Sequence, residues 1–169
     1  MSSVDAIPHF EDDKSVKVFT DHKVFTEREI HARTEILLEN YYKTINIEAH
    51  TAADMVKHQY APAVMAYAKF LCDAAASKKM VGIDASAELE AADKVTKLEN
   101  AMISACAELE ILLGETSALS DVRETAVFFH DKVLAKMNDV RAVVDELEAL
   151  VGGDFWPVPT YGDILFSVK

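Results

Sequence analysis

The sequence predicts an all-α protein: an antiparallel bundle of three long helices, with a short N-terminal helix before them and an extended Trp/Pro-rich tail after them. Three observations carry this. Glycine (5) and proline (4) are sparse in 169 residues while alanine, glutamate, lysine and leucine abound, a balance that favours helix. Apolar residues recur at steps of three and four along three long runs. No stretch alternates apolar and polar residues as a half-buried strand would. A chain of this length, half of it hydrophobic, is predicted to form a single helical domain over 1–169 with a real core.

The elements follow in order. Residues 1–25 are read as a junction and a short helix. Pro8 argues against an early helix. Glu11, Asp12 and Asp13 then place acids where a helix dipole favours them, at the start of a short helix to about Thr20. In "VFTERE", Thr26 and Glu29 form a capping box, and Phe25 with Ile30 form a hydrophobic staple. The first long helix carries its stripe on Ile30, Leu37, Tyr41, Ile45, Ala49, Ala52, Met55 and Val56. Pro62 interrupts the run, yet the pattern resumes at Ala63, Tyr67, Phe70 and Leu71, which predicts one long helix kinked near Gln59–Pro62, or two helices in near-line.

After a loop at "SKKMVGIDAS", Ser86 or Asp84 caps a second long helix. Ala91, Val95, Leu98, Met102, Ala105, Leu109 and Leu112 give it a heptad-like seam, and Gly114 is read as its C′ stop. The third runs from about Ser120 to Val151, with Val122, Ala126, Phe129, Val133, Met137, Val140, Val144, Leu147 and Val151 along one face. The bundle thus spans 26–151. Gly152 and Gly153 let the chain reverse, and 152–169 is expected to dock back on the bundle through Trp156, Tyr161, Leu165 and Phe166.

A net charge of −12 repels nucleic-acid phosphates and offers no basic surface to a membrane. Residues 27–80 hold seven acids and seven bases, whereas 81–118 hold eight acids and two bases. The neutral stretch is the better docking candidate. No apolar run reaches the ~20 residues of a membrane span, and "MSSVDAIPHF" lacks the features of a signal peptide, so the cytoplasm is the expected compartment. Cys72 and Cys106 lack metal-ligand spacing and are read as buried free thiols.

Few residues suggest chemistry. His50, Asp54 and His58 share a helix face, but two turns put the outer pair roughly 12 Å apart, too far for one ion. Glu27, His31 and Glu35 are spaced as an exposed face, and no Glu-x-x-His pair of a di-metal bundle occurs. Arg33 and Arg141 have acids four residues away (Glu29, Asp145), and Arg28 and Arg123 are read as solvated. Phosphate-binding glycine loops and a Ser elbow are absent. No catalytic, cofactor-binding or metal residue is assigned.

Two stretches, His22–Tyr67 and Val140–Phe166, resemble the C-terminal region of type III glutamine synthetases. The resemblance rests on Phe25-Thr26-Glu27, Glu35…Glu39-x-Tyr41, Ile45-x-Ile47-Glu48-Ala49, Asp54-Met55, Pro62-Ala63, Arg141…Asp145-x-Leu147-Glu148 and above all Trp156-Pro157-x-Pro159-Thr160-Tyr161. It implies a parent enzyme that joins ammonia to glutamate with ATP and Mg or Mn, and a homo-oligomer of stacked rings. The family's catalytic residues lie N-terminal to the matched stretch, so none is carried onto this chain. The resemblance also implies a fragment, with Met1-Ser2-Ser3 as an engineered or mis-assigned start. Its expected partners are the catalytic domain and neighbouring subunits, met through Tyr41, Tyr42, Ile45, Ile47 and His50 unless the chain itself covers that face. The competing reading is a free-standing helical interaction module.

Overall fold

The computed structural model describes residues 2–166, the Tyr161 side chain aside. Every regular element among them is helical, as the composition and periodicity predict. In order these are α1 (Ser3–Ala6), a 3-10 turn (Ile7–Glu11), α2 (Asp13–Asp21), α3 (Glu27–Met55), α4 (Ala61–Met80), α5 (Ser86–Glu115), α6 (Val122–Phe128), α7 (Leu134–Glu148) and α8 (Tyr161–Leu165).

The first departure from expectation is the N-terminus, which is helical rather than irregular. Ser2 caps α1, its hydroxyl accepting from the Asp5 N–H while the Asp5 carboxylate accepts from Ser2. Pro8 sits in the first turn of the following 3-10 segment, where its missing N–H costs nothing. The short helix begins two residues later than expected. Lys23 closes it at φ 55°, a left-handed position usually given to glycine.

The Thr26 capping box forms as predicted. Glu29 accepts from the Thr26 N–H at 2.8 Å, and Glu29 N–H donates to the Thr26 hydroxyl. That backbone bond, and then the Thr26 hydroxyl, hold the Glu29 carboxyl below its ordinary pKa. Asp84 is held down likewise by the Ser86 hydroxyl and then its N–H, and its carboxylate thereby accepts an N–H at the first residue of α5. Gly82, at φ +76°, turns the chain between α4 and α5.

Pro62 lies in the first turn of α4. The helical path does not stop there. It runs from α3 into α4 through one π-helical turn, Val56–Tyr60, in which the Ala61 N–H donates to the Val56 carbonyl five residues back. A second π turn, Phe129–Val133, joins α6 to α7. That one has no proline to announce it. The third run begins at Val122, two residues past the expected start near Ser120, and Asp121 is its side-chain cap. Gly114 does not stop α5, which continues to Glu115 and a 3-10 turn at Thr116–Ala118.

The chain divides into two compact units. Unit 1 comprises 1–50 and 109–136. Val4, Leu38 and Ala126 meet at the centre of one cluster there, with Ile7, Tyr41, Tyr42 and Val122 around it. Leu38, not the predicted Leu37, is the buried residue, and Leu37 is 42% exposed. Phe129 is buried and stacks on Tyr42 at 5.7 Å between ring centroids.

Unit 2 comprises 51–108 and 137–169. Its buried residues include Val56, Val64, Val95, Met102 and Leu147. Cys106 is buried, its thiol directed at the Ala53 carbonyl, but Cys72 is exposed, against expectation. Alanine and cysteine carry similar weight at helical positions, and Cys72 falls one position beyond the buried Leu71.

The tail separates into two parts. Gly152 lends its carbonyl to the N–H groups of Phe155 and Trp156, forming a turn. Trp156 is buried against Tyr60, with ring centroids 5.2 Å apart, and Phe155 packs between Tyr67 and Phe70. The expected docking of Leu165 and Phe166 does not occur. They are 69% and 82% exposed, Leu165 at the end of α8 and Phe166 just past it, and the cap of α8, Thr160 with Asp163, satisfies its backbone locally. The Tyr161 side chain, also expected to dock, lies outside the described residues.

Candidate functional site

The residues singled out for metal binding disperse. His58 pairs with Asp54 at 3.5 Å on the exposed surface, and His50 takes no part in that pair. His31 makes its contact outside its own helix. Its Nδ1 lies 2.9 Å from Glu11 Oε1, so a helix face read as solvated is tied to the N-terminal 3-10 turn. Among the described residues no group of three or more His, Cys, Asp or Glu side chains converges as metal ligands do.

The arginines divide. Arg141 pairs with Asp145 at 3.5 Å as predicted. The Arg33 guanidinium lies over the Phe25 ring, 4.3 Å from its centroid, a cation–π contact worth about 0.5–1 kcal/mol at an exposed site.

The proposed contact face around Tyr41 and Tyr42 is largely covered from within unit 1. Ile45 is buried, Tyr42 stacks on Phe129, and Tyr41 lies against His130 with centroids 6.5 Å apart. Only Ile47 and His50 of that set remain exposed. The reason is periodicity: Tyr41, Tyr42 and Ile45 share one face of α3, and Ile47, two residues on, points elsewhere.

An apolar surface suited to a partner lies at the start of α3 instead. Phe10, Phe19 and Phe25 form a ladder, with successive centroids 6.3 and 5.6 Å apart. With Ile30, Arg33, Ile36 and Leu37 they line an apolar cleft of about 250 Å³. Phe10, Ile36 and Leu37 present their side chains to solvent at its rim, at 46%, 54% and 42% exposure. Such a contiguous exposed patch marks an interaction surface more often than scattered single residues do. Phe25 and Ile30 are the predicted staple pair, so the motif that starts α3 also builds one wall of the cleft. The spacing of Phe10, Phe19 and Phe25 does not reveal the ladder, because the three sit on successive segments and only the turns between them bring the rings together.

No helix among the described residues is long and apolar enough to cross a membrane. Comparison with known proteins is consistent along the chain. The family described as glutamine synthetase C-terminal domain matches residues 1–79. A glutamine synthetase of Butyrivibrio fibrisolvens is 35% identical over 167 residues, covering 98% of this chain and 24% of its own length. The type-3 glutamine synthetase of Dictyostelium discoideum is 29% identical, covering 98% of this chain and 23% of its own. A glutamine synthetase of Bacteroides fragilis is 23% identical over 170 residues. The chain therefore spans about a quarter of the length of these curated relatives. The alignments take in the Val140–Phe166 stretch and the generic middle of the chain, which lie outside the family match over 1–79.

Proposed function

We propose that the chain, which aligns along almost its whole length with glutamine synthetases, is the helical C-terminal domain of such an enzyme, of the type III class, and that its role is assembly rather than chemistry. The observation that carries the assembly role is the apolar cleft of Phe10, Phe19, Phe25, Ile36 and Leu37, an uncovered surface on a domain whose relatives are some four times longer. Its occupant in this reading is the catalytic portion of the enzyme, from the same or a neighbouring subunit of a homo-oligomer.

The parent activity follows from the family. A carboxylate is a poor electrophile, so the γ-carboxylate of glutamate is phosphorylated by ATP before ammonia displaces the phosphate. The nucleotide and its Mg or Mn ions belong, in this reading, to the three quarters of the enzyme that the chain does not match. The acidic surface and the exposed thiol of Cys72 fit a reducing cytoplasm.

The experiment is an assay of purified 1–169 with ATP, Mg²⁺, glutamate and ammonia. The expected result is no ATP-dependent glutamine formation. Turnover that co-purifies with the chain through successive columns overturns the assignment of chemistry to the unmatched portion.

A further inference from the structure

Unit 1 holds a second, polar cavity of about 440 Å³, inside the roughly 300–1,000 Å³ range of small-molecule sites. It lies between the N-terminal 3-10 turn, α3 and the start of α6, and its walls carry charges of both signs: Glu11, His31, Glu35, Asp121 and Arg123. Most of these are already engaged. Glu11 is paired with His31, and Asp121 accepts the Glu124 N–H at 2.8 Å as the cap of α6. Thr34, 4% exposed, also lines the cavity. Its hydroxyl donates to the Ile30 carbonyl at 3.1 Å, which leaves its oxygen free to accept.

Two groups remain. The Glu35 carboxylate and the Arg123 guanidinium, both exposed at the open side of this cleft, have no ion-pair partner among the described residues and do not pair with each other. Opposite charges on one cavity, held out of contact, leave a gap that a molecule with complementary ends can span. We propose that this cavity binds a small zwitterion, a free amino acid, with its carboxylate on the Arg123 fork and its ammonium on Glu35. Arginine suits the first role because its planar guanidinium engages a carboxylate through two parallel hydrogen bonds. The buried Thr34 oxygen is a further acceptor for the ammonium. The site is independent of the family assignment: it stands on this cavity alone.

The test is isothermal titration of purified 1–169 with glycine and L-glutamine, whose charges are close together, and 4-aminobutanoate, whose charges are far apart. Acetate and methylammonium serve as single-charge controls. Saturable binding of a zwitterion, with both controls weaker, is the expected result, and the better of the two zwitterion classes reports the Glu35–Arg123 span. Glu35→Gln and Arg123→Gln should each weaken binding roughly tenfold or more, as for loss of a charge-assisted hydrogen bond, with circular dichroism unchanged. Arg123→Lys, which keeps the charge but loses the fork, should weaken it too, and Arg28→Gln, outside the cavity, should not. Arg123 also borders a shallower depression with Glu124 and Asp131. Binding that needs Arg123 but ignores Glu35→Gln would move the ligand there and overturn the assignment, as would acetate binding as tightly as the zwitterions, or no saturable binding of any zwitterion.

Discussion

Phe129→Ala is expected to destabilise the chain by about 3–5 kcal/mol, the usual cost of truncating a buried phenylalanine. Phe129 is 2% exposed, stacks on Tyr42 at 5.7 Å, and meets Phe128 edge-on at 6.5 Å. It also opens the π turn that leads into α7. A π turn lodges one extra residue in the helix, and such a turn is held by what its side chains bury on either side. Removing the ring therefore empties a core site and loosens the turn together. At roughly 2–4 °C per kcal/mol for a chain this size, the melting temperature should fall by about 6–20 °C. Phe129→Leu, which refills most of the volume, should cost less than half as much. A drop under about 1 kcal/mol for the alanine variant, measured by urea unfolding, would mean that Phe129 is not a core anchor.

The second large effect is at Trp156, where ring and N–H pull in opposite directions. The ring is buried against Tyr60. Truncation to alanine should cost about 3–5 kcal/mol by burial alone. However, the indole N–H is buried without a hydrogen-bond partner among the described residues. An orphan donor carries a penalty of about 1–3 kcal/mol, and truncation relieves it. The net expectation for Trp156→Ala is thus about 2 kcal/mol of lost stability. Trp156→Phe keeps most of the ring and drops the orphan donor, so it should be near neutral. Leu165→Ala and Phe166→Ala, at the exposed end of α8 and just past it, should stay within about 0.5 kcal/mol. Equal losses from the alanine and phenylalanine variants of Trp156 would contradict this division of the tail.

The same tail shows how far the sequence could be read. An apolar C-terminus with Trp and two prolines signals burial of something, but not of how much. Phe155 and Trp156 follow directly on the Gly152 turn and reach aromatic partners on the helix ahead of them. Leu165 and Phe166 come after a self-sufficient capped helix that does not need to pack to satisfy its backbone. Local motifs were legible because they close within a few residues: the Thr26–Glu29 box, and the Asp84–Ser86 contact at the start of α5. The π turn at Phe129–Val133 was not, because nothing in its residue types distinguishes it from the α-helix around it.

In α5 the spacing located the buried line of Val95, Met102 and Leu109 but misplaced its companions. Ala92 and Leu113 are buried where Ala91 and Leu112 were expected, while Cys106 is buried as its reading as a buried thiol predicts. Rows at i+3 and i+4 compete along a straight helix with 3.6 residues per turn, and small residues such as alanine do not decide between them.

The candidate surface was less legible than the fold. Its walls come from Phe10, Phe19 and Phe25 on three successive segments, and only their turns bring them together. Likewise, nothing in the spacing of His31 foretold its pairing with Glu11, twenty residues earlier.

The assembly role is tested most directly by mixing purified 1–169 with the separately purified remainder of a homologous glutamine synthetase and measuring mass by size-exclusion chromatography with light scattering. The account predicts a stable complex that the paired substitution Ile36→Asp and Leu37→Asp abolishes without lowering the melting temperature of the chain, since both side chains are exposed. Failure of the unmodified chain to associate, or association indifferent to that substitution, would contradict it.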